Sequence, residues 1–245
     1  MAEHAIDDLI VEILNTTCHL VIAGLRGNAG AGGAILALSA DRVHAMSGVV
    51  LNPHYRSMGL YGSEYWTYTL PRRVGRTRAL ELTESCQPIG AQAARQIGFI
   101  DDIFGNDASS FEAELREWVA HIAQDREFRR LLRRKHESRL DDECFKPLAA
   151  YRAEELDRMR VNFFGPNRTY HEARHRFVFK GKAPRRESSL SAPGRLDDLQ
   201  ARPNGVRTVE PSVPPVGLDV RGVTQGNHHL PPHWQFAGST ALVWA

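Results

Sequence analysis

Cysteine is scarce. The three present, at positions 18, 86 and 144 of 245, are too far apart for a disulfide framework or a C-x-x-C metal site, and a reducing cytoplasm is the simpler setting. Long apolar runs are missing too. Every run falls well short of the ~18 residues that a membrane-spanning helix needs, and the N-terminus, MAEHAIDDLIVEIL, is acidic and amphipathic rather than a signal peptide. Charge of one sign is not in excess. A net charge of +2 gives no general pull toward nucleic acid or a membrane surface. The histidines lack H-E-x-x-H spacing; His171 and His175 stand four apart on an expected helix without a third ligand, so no metal is expected. With 42% apolar and 24% charged residues, what remains is an ordinary globular chain of one or two domains.

The chemistry is concentrated between Leu20 and Glu64. An apolar strand, Leu20 to Leu25, enters a loop with four glycines, Gly27, Gly30, Gly32 and Gly33, and the loop opens a helix of small residues from about 31 to 40, ended by Asp41. Glycines let a backbone approach a ligand closely. The start of a helix leaves N–H groups aimed outward, which suits developing negative charge. The same glycines would also serve tight packing of helix on strand. The loop contains no G-x-G-x-x-G in register and no G-K-[ST], so neither a dinucleotide site nor a phosphate loop is expected. A further apolar run, residues 48–52, delivers a polar loop with His54, Tyr55, Tyr61, Ser63 and Glu64.

Strand, helix and strand in alternation argue an α/β architecture. The spacing of Ile6, Leu9, Ile10, Ile13 and Leu14 predicts an amphipathic helix over 5–14. Ser63 is a candidate N-cap for a helix through Leu70, which Pro71 would end or kink. Helices are expected over 75–84 and 90–97, a short strand over 100–104, and charged helices from Ser109 onward, including one over about 142–161 and a last one from about Thr169. The basic run Arg126 to Lys135 reads as a solvated helix face. Composition breaks near Ala183: eight of the 13 prolines fall after it, without helical or strand periodicity, which predicts a disordered tail. The expected organisation is an α/β core over 1–105, a helical region over 106–182 and the tail over 183–245.

The run RGNAGAGGAILALSADRVHA resembles the signature of the crotonase (enoyl-CoA hydratase/isomerase) superfamily, and PRRVGRTRALELTESCQPIGAQAARQIGFIDDIF fits the segment that follows it there. Within that superfamily, GVVLNPHYRSMGLYGSEYWTYTLPRRVG, RVNFFG and YHEARHRFVFKGK resemble the C-terminal part of the HypX/HoxX family of hydrogenase maturation proteins. The resemblance implies a partial crotonase (ClpP/crotonase-like) α/β fold with C-terminal helices, starting late in that fold. It implies a domain that splits formyl-CoA into carbon monoxide and coenzyme A, the carbon monoxide becoming a ligand of the [NiFe]-hydrogenase site; the alternatives are a generic enoyl-CoA hydratase or isomerase and a noncatalytic remnant or interaction module. Formyl-tetrahydrofolate would act only through an N-terminal half. Implied partners are an acyl-CoA substrate and a chain carrying the front of the fold, or the hydrogenase maturation machinery.

The family's site residues carry over residue by residue. A backbone N–H at Gly32, flanked by Gly30 and Gly33, matches one donor of the thioester oxyanion hole; the second donor is expected from a segment outside this chain. Hydratases need a glutamate where Ile35 stands and another where Tyr55 stands. Both carboxylates are replaced, which argues against simple hydration of an enoyl-CoA. The resemblance instead gives Tyr55 and Glu64 the proton transfer; the plainer alternatives are a packed aromatic and a helix-start carboxylate. His54 reads as a solvent-facing loop histidine, or else a neighbour that tunes Tyr55, and Tyr61 and Tyr65 as pocket-lining or core residues.

Overall fold

The computed structural model describes residues 2–180, 234–237 and 240–244. Helix α1 (Ala2–Asn15) leads into β1 (Leu20–Leu25), which is buried along its whole length. After the two-residue β2 (Ala29–Gly30) comes α2 (Ala31–Leu38), then β3 (Arg42–Met46) and β4 (Val50–Asn52). The chain continues through a 3-10 turn (Arg56–Met58), α3 (Trp66–Val74), α4 (Arg76–Ser85), β5 (Ile89–Gly90), α5 (Ala91–Gln96) and β6 (Asp102–Phe104). Four helices follow: α6 (Ala108–Ala123), α7 (Phe128–Phe145), α8 (Leu148–Phe164) and α9 (Thr169–Val178).

The main sheet has the order β6-β3-β1-β8-β7. β6, β3 and β1 run parallel, and β1 is almost wholly apolar because helices cover both its faces. Alternate residues divide between two cores. Val21, Ala23 and Leu25 join Val43, Ala45 and the small residues of α2, while Leu20 and Ile22 face Phe111, Leu115 and Val119 of α6. A second sheet, β2-β4-β5, holds the glycine loop against the strand that leads to Tyr55. This is the α/β arrangement with C-terminal helices that the strand–helix alternation predicts.

Several local expectations change. α1 turns Ile10, Ile13 and Asp7 inward and leaves Ile6 and Leu9 exposed, so a carboxylate takes a place on its inner face. Pro71 does not end α3, which runs on to Val74. Its missing N–H removes one bond of the helix ladder, and the turn after it still closes through Gly75 N–H to the Pro71 carbonyl (2.9 Å). The charged stretch after Ser109 is interrupted at Pro147, which separates α7 from α8. The stretch 183–245, expected as a disordered tail, lies outside the described residues apart from β7 (Trp234–Ala237) and β8 (Thr240–Trp244). These two pair antiparallel with each other, and β8 lies parallel to β1 in the register Leu20↔Thr240 to Gly24↔Trp244.

Candidate active site

The glycine loop is tied down from two directions. Asn28 Oδ1 accepts the Val50 N–H (2.9 Å), and Ala29 and Gly30 pair with Leu51 and Asn52. Gly30 is the N-cap of α2 in extended conformation, with no side chain capping the helix. The first N–H groups of the helix, Gly32 among them, therefore have no intrahelical acceptor. Crowding differs sharply between the glycines. A β-carbon on Gly33 would meet nothing within 4 Å, and one on Gly30 only the Asn52 carbonyl at 3.8 Å. One on Gly32 would come within 3.0 Å of Glu64 Oε1. Of the three, only Gly32 is crowded, and an alanine there would press on the end of the Glu64 side chain. Ile35, two residues on, is fully buried in the core, so that helical position has an apolar task here.

Tyr55 ends the polypeptide run from β4, and its side chain is 5% exposed. Its hydroxyl donates to Glu64 Oε2 at 2.6 Å, and the Ser63 N–H donates to the same oxygen at 3.2 Å. Burial first, then the charge and hydrogen bond of Glu64, push the Tyr55 phenol well above its ordinary value of 10.0. At neutral pH the shared proton therefore rests on the phenol. Tyr55, Glu64 and Gly32 form one contiguous group: a buried phenol donor, a carboxylate acceptor and the helix-start glycine against which that carboxylate lies.

The carboxylate is held by an unusual backbone. Glu64 and Tyr65 are both left-handed, with φ of 62° and 58°. Such a conformation costs about 1–3 kcal/mol per non-glycine residue and persists only where surroundings impose it. Asp7 of α1 accepts the Glu64 N–H (3.1 Å), and Glu155 of α8 accepts the N–H groups of Tyr65 and Thr67 (both 2.8 Å). Upstream, Asn162 Oδ1 accepts the Tyr61 N–H (2.7 Å) and Met159 Sδ the Gly62 N–H (3.2 Å). Glu155 is 1% exposed, and that burial pushes its carboxyl up to about 7, against the hydrogen bonds from Thr67 and Tyr65. Asp7, Glu155, Met159 and Asn162 are the site residues that local sequence patterns miss. The available signal was the 155–159–162 spacing, which places three acceptors on one helix face.

Other expectations are corrected. Ser63 caps nothing: α3 begins after Tyr65, and the Ser63 hydroxyl is buried without a hydrogen-bond partner among the described residues. Asp41, expected to bond backbone locally at the end of the glycine-loop helix, instead accepts the Val21 N–H and the Lys135 ammonium at its Oδ2, both at 2.7 Å. Lys135 accordingly leaves the solvated face read for the basic run. His54 is half-buried rather than freely solvated. Tyr61 packs on Trp66 (ring centroids 5.3 Å apart), and Tyr65 is a core residue beside Ile10 and Leu148. His171 bonds the Phe163 carbonyl (2.9 Å).

The family model described as enoyl-CoA hydratase/isomerase matches residues 2–186. The chain belongs to this family. The hydrogenase maturation factor HoxX of Bradyrhizobium diazoefficiens is 44% identical over 205 residues, covering 83% of this chain and 36% of HoxX. A crystal structure of HypX from Aquifex aeolicus in complex with tetrahydrofolic acid superposes with a TM-score of 0.71 at 41% identity, over 77% of this chain and 35% of that one. An enoyl-CoA hydratase from Bacillus halodurans (TM-score 0.60, 18% identity, 69% of this chain and 65% of that one) shares the fold. The chain is thus similar to the crotonase-like part of HypX and HoxX, and it spans little more than a third of the length of either.

Proposed function

We propose that residues 20–74 carry the formyl-CoA-splitting site of a HypX-type hydrogenase maturation protein. The observation that carries this reading is the 2.6 Å Tyr55–Glu64 bond, with the other oxygen of the same carboxylate lying against Gly32. A formyl thioester whose carbonyl oxygen takes the Gly32 N–H would bring its formyl hydrogen to the Glu64 carboxylate. The open surroundings of Gly30 and Gly33 support close approach of the thioester there.

The reaction balances without an added redox partner. Glu64 takes the formyl proton, the carbon–sulfur bond breaks as carbon monoxide leaves, and the thiolate of coenzyme A receives a proton from the Tyr55–Glu64 pair. The phenol, held protonated by its burial beside Glu64, is a donor and not a base. Helix-start amides at the oxyanion contribute about 3–4 kcal/mol per donor to such a step. We assign the second donor, like any formyl-tetrahydrofolate chemistry, to a part of a HypX-type protein other than residues 20–74. Hydration of an enoyl-CoA is disfavoured by the buried Ile35 at the position where hydratases hold an acid.

The test is carbon monoxide release from formyl-CoA, read by the Soret shift of reduced myoglobin, for this chain alone and mixed with the front half of a HypX-type protein. Release that disappears in Glu64→Gln and in Tyr55→Phe supports the assignment. No release from the chain alone or from the mixture, or hydration of crotonyl-CoA instead, refutes it.

A further inference from the structure

The pair proposed to move the proton lies on a segment whose own sequence cannot hold it. Residues 55–67 contain two consecutive left-handed non-glycine residues, and α3 begins with no side-chain cap of its own. The backbone N–H groups of that segment are taken up by one stripe of α8. Asn162 accepts from Tyr61, Met159 from Gly62, and Glu155 from Tyr65 and Thr67. The intervals of four and three residues put these acceptors on a single helical face. Glu155 stands in for the missing cap of α3, as a carboxylate at a helix N-terminus. The outer side of the segment is closed as well: a β-carbon on Gly59 would lie 2.5 Å from the Tyr170 nitrogen at the start of α9.

We infer that Glu155, Met159 and Asn162 are positioning residues that set Glu64 against Gly32 and Tyr55 by fixing the backbone of residues 61–67. The inference rests on the reading of Tyr55 and Glu64 as the proton-transfer pair. None of the three acts on substrate. They choose among backbone conformations, and the conformation chosen is one the segment would otherwise avoid. A misplacement of about 1 Å can lower a rate ~100-fold while binding is little changed.

Asn162→Ala is the decisive variant, because Asn162 is only partly buried and its loss leaves the core intact. Glu155→Gln is the second: it keeps the shape while turning one acceptor into a donor facing an N–H. Both are compared with the wild-type chain under the conditions in which it releases carbon monoxide. The expected result is a fall in kcat of about tenfold or more, with KM for formyl-CoA within about twofold. Amide hydrogen exchange should become faster for residues 60–67 and stay unchanged for residues 20–40. Asn162→Asp, which restores an acceptor at the same reach, should recover kcat. Faster exchange with unchanged kcat overturns the inference, as does a loss that appears in KM or one that Asn162→Asp fails to repair. Absence of carbon monoxide from the wild type is a different outcome: it overturns the decarbonylation reading, and this inference with it.

Discussion

Gly62 offers a sharp test of how tightly the site is built. Its φ is 91°, and a β-carbon placed there would lie 2.2 Å from Tyr55 Cδ2, 2.4 Å from Cε2 and 2.7 Å from Cγ. Carbon atoms in contact sit at about 3.5–4.0 Å. In Gly62→Ala the ring must therefore retreat by more than 1 Å, or the backbone must change. Retreat carries the Tyr55 hydroxyl out of reach of Glu64, from a bond of 2.6 Å. Alanine in a left-handed conformation adds about 1–2 kcal/mol, and overpacking of this kind costs about 1–3 kcal/mol. We expect a stability loss of about 2–4 kcal/mol by urea unfolding, with carbon monoxide release reduced ~100-fold. Gly27→Ala is the control, since nothing lies within 4 Å of a β-carbon there, and it should change stability by less than ~0.5 kcal/mol. A Gly62→Ala chain as stable and as active as the wild type would refute the packing argument for Tyr55.

Further outcomes follow from buried charge. Lys135→Met leaves the Asp41 carboxylate without its cation beside Val21, and should cost about 3–5 kcal/mol by urea unfolding, whereas Arg133→Met on the exposed face should cost almost nothing. His44 is 1% exposed, both its ring nitrogens lack partners among the described residues, and burial lowers its pKa from 6.5 to about 4. The folded state therefore disfavours the proton. The stability present above pH 6.5 is lost as pH falls toward 4, by up to about 3 kcal/mol, and His44→Leu should flatten that decline. Glu155 has the opposite sign. Its carboxyl is raised from 4.5 to about 7, so the stability it confers is complete below pH 4.5 and lost as pH rises through 7; Glu155→Gln should remove that loss.

The scaffold was legible where short-range pattern carries the information. The continuous apolar run of β1, the small residues of α2 and the helical periodicities each point to the element observed. That Tyr55, Glu64 and Gly32 lie together was suggested by family resemblance, not by local pattern. Nothing in their spacing says that residues 32, 55 and 64 meet. What stayed hidden depends on partners distant in sequence. Asp7 interrupts an apolar stripe, so α1 seemed to bury Ile6 and Leu9 instead. Ser63 has the composition of a cap, yet the left-handed turn at residues 64 and 65 delays the helix past it. Lys135 stands in a basic run whose other members give no hint that one of them reaches Asp41. The run TALVW forms β8 because β1 offers it a parallel edge, a property of β1 and not of those five residues.

The stripe on α8 also sets an order of assembly. Tyr61 and the asparagine that accepts its amide are 101 residues apart. At roughly 5–20 residues per second, a nascent chain makes Tyr61 about 5–20 s before it makes Asn162. During that interval the glycine loop can form on local contacts while the loop bearing Tyr55 and Glu64 still samples its relaxed conformations. The arrangement of Tyr55 and Glu64 would then come late, and a polypeptide released before Asn162 would carry both residues without the contact that holds the Tyr61 amide.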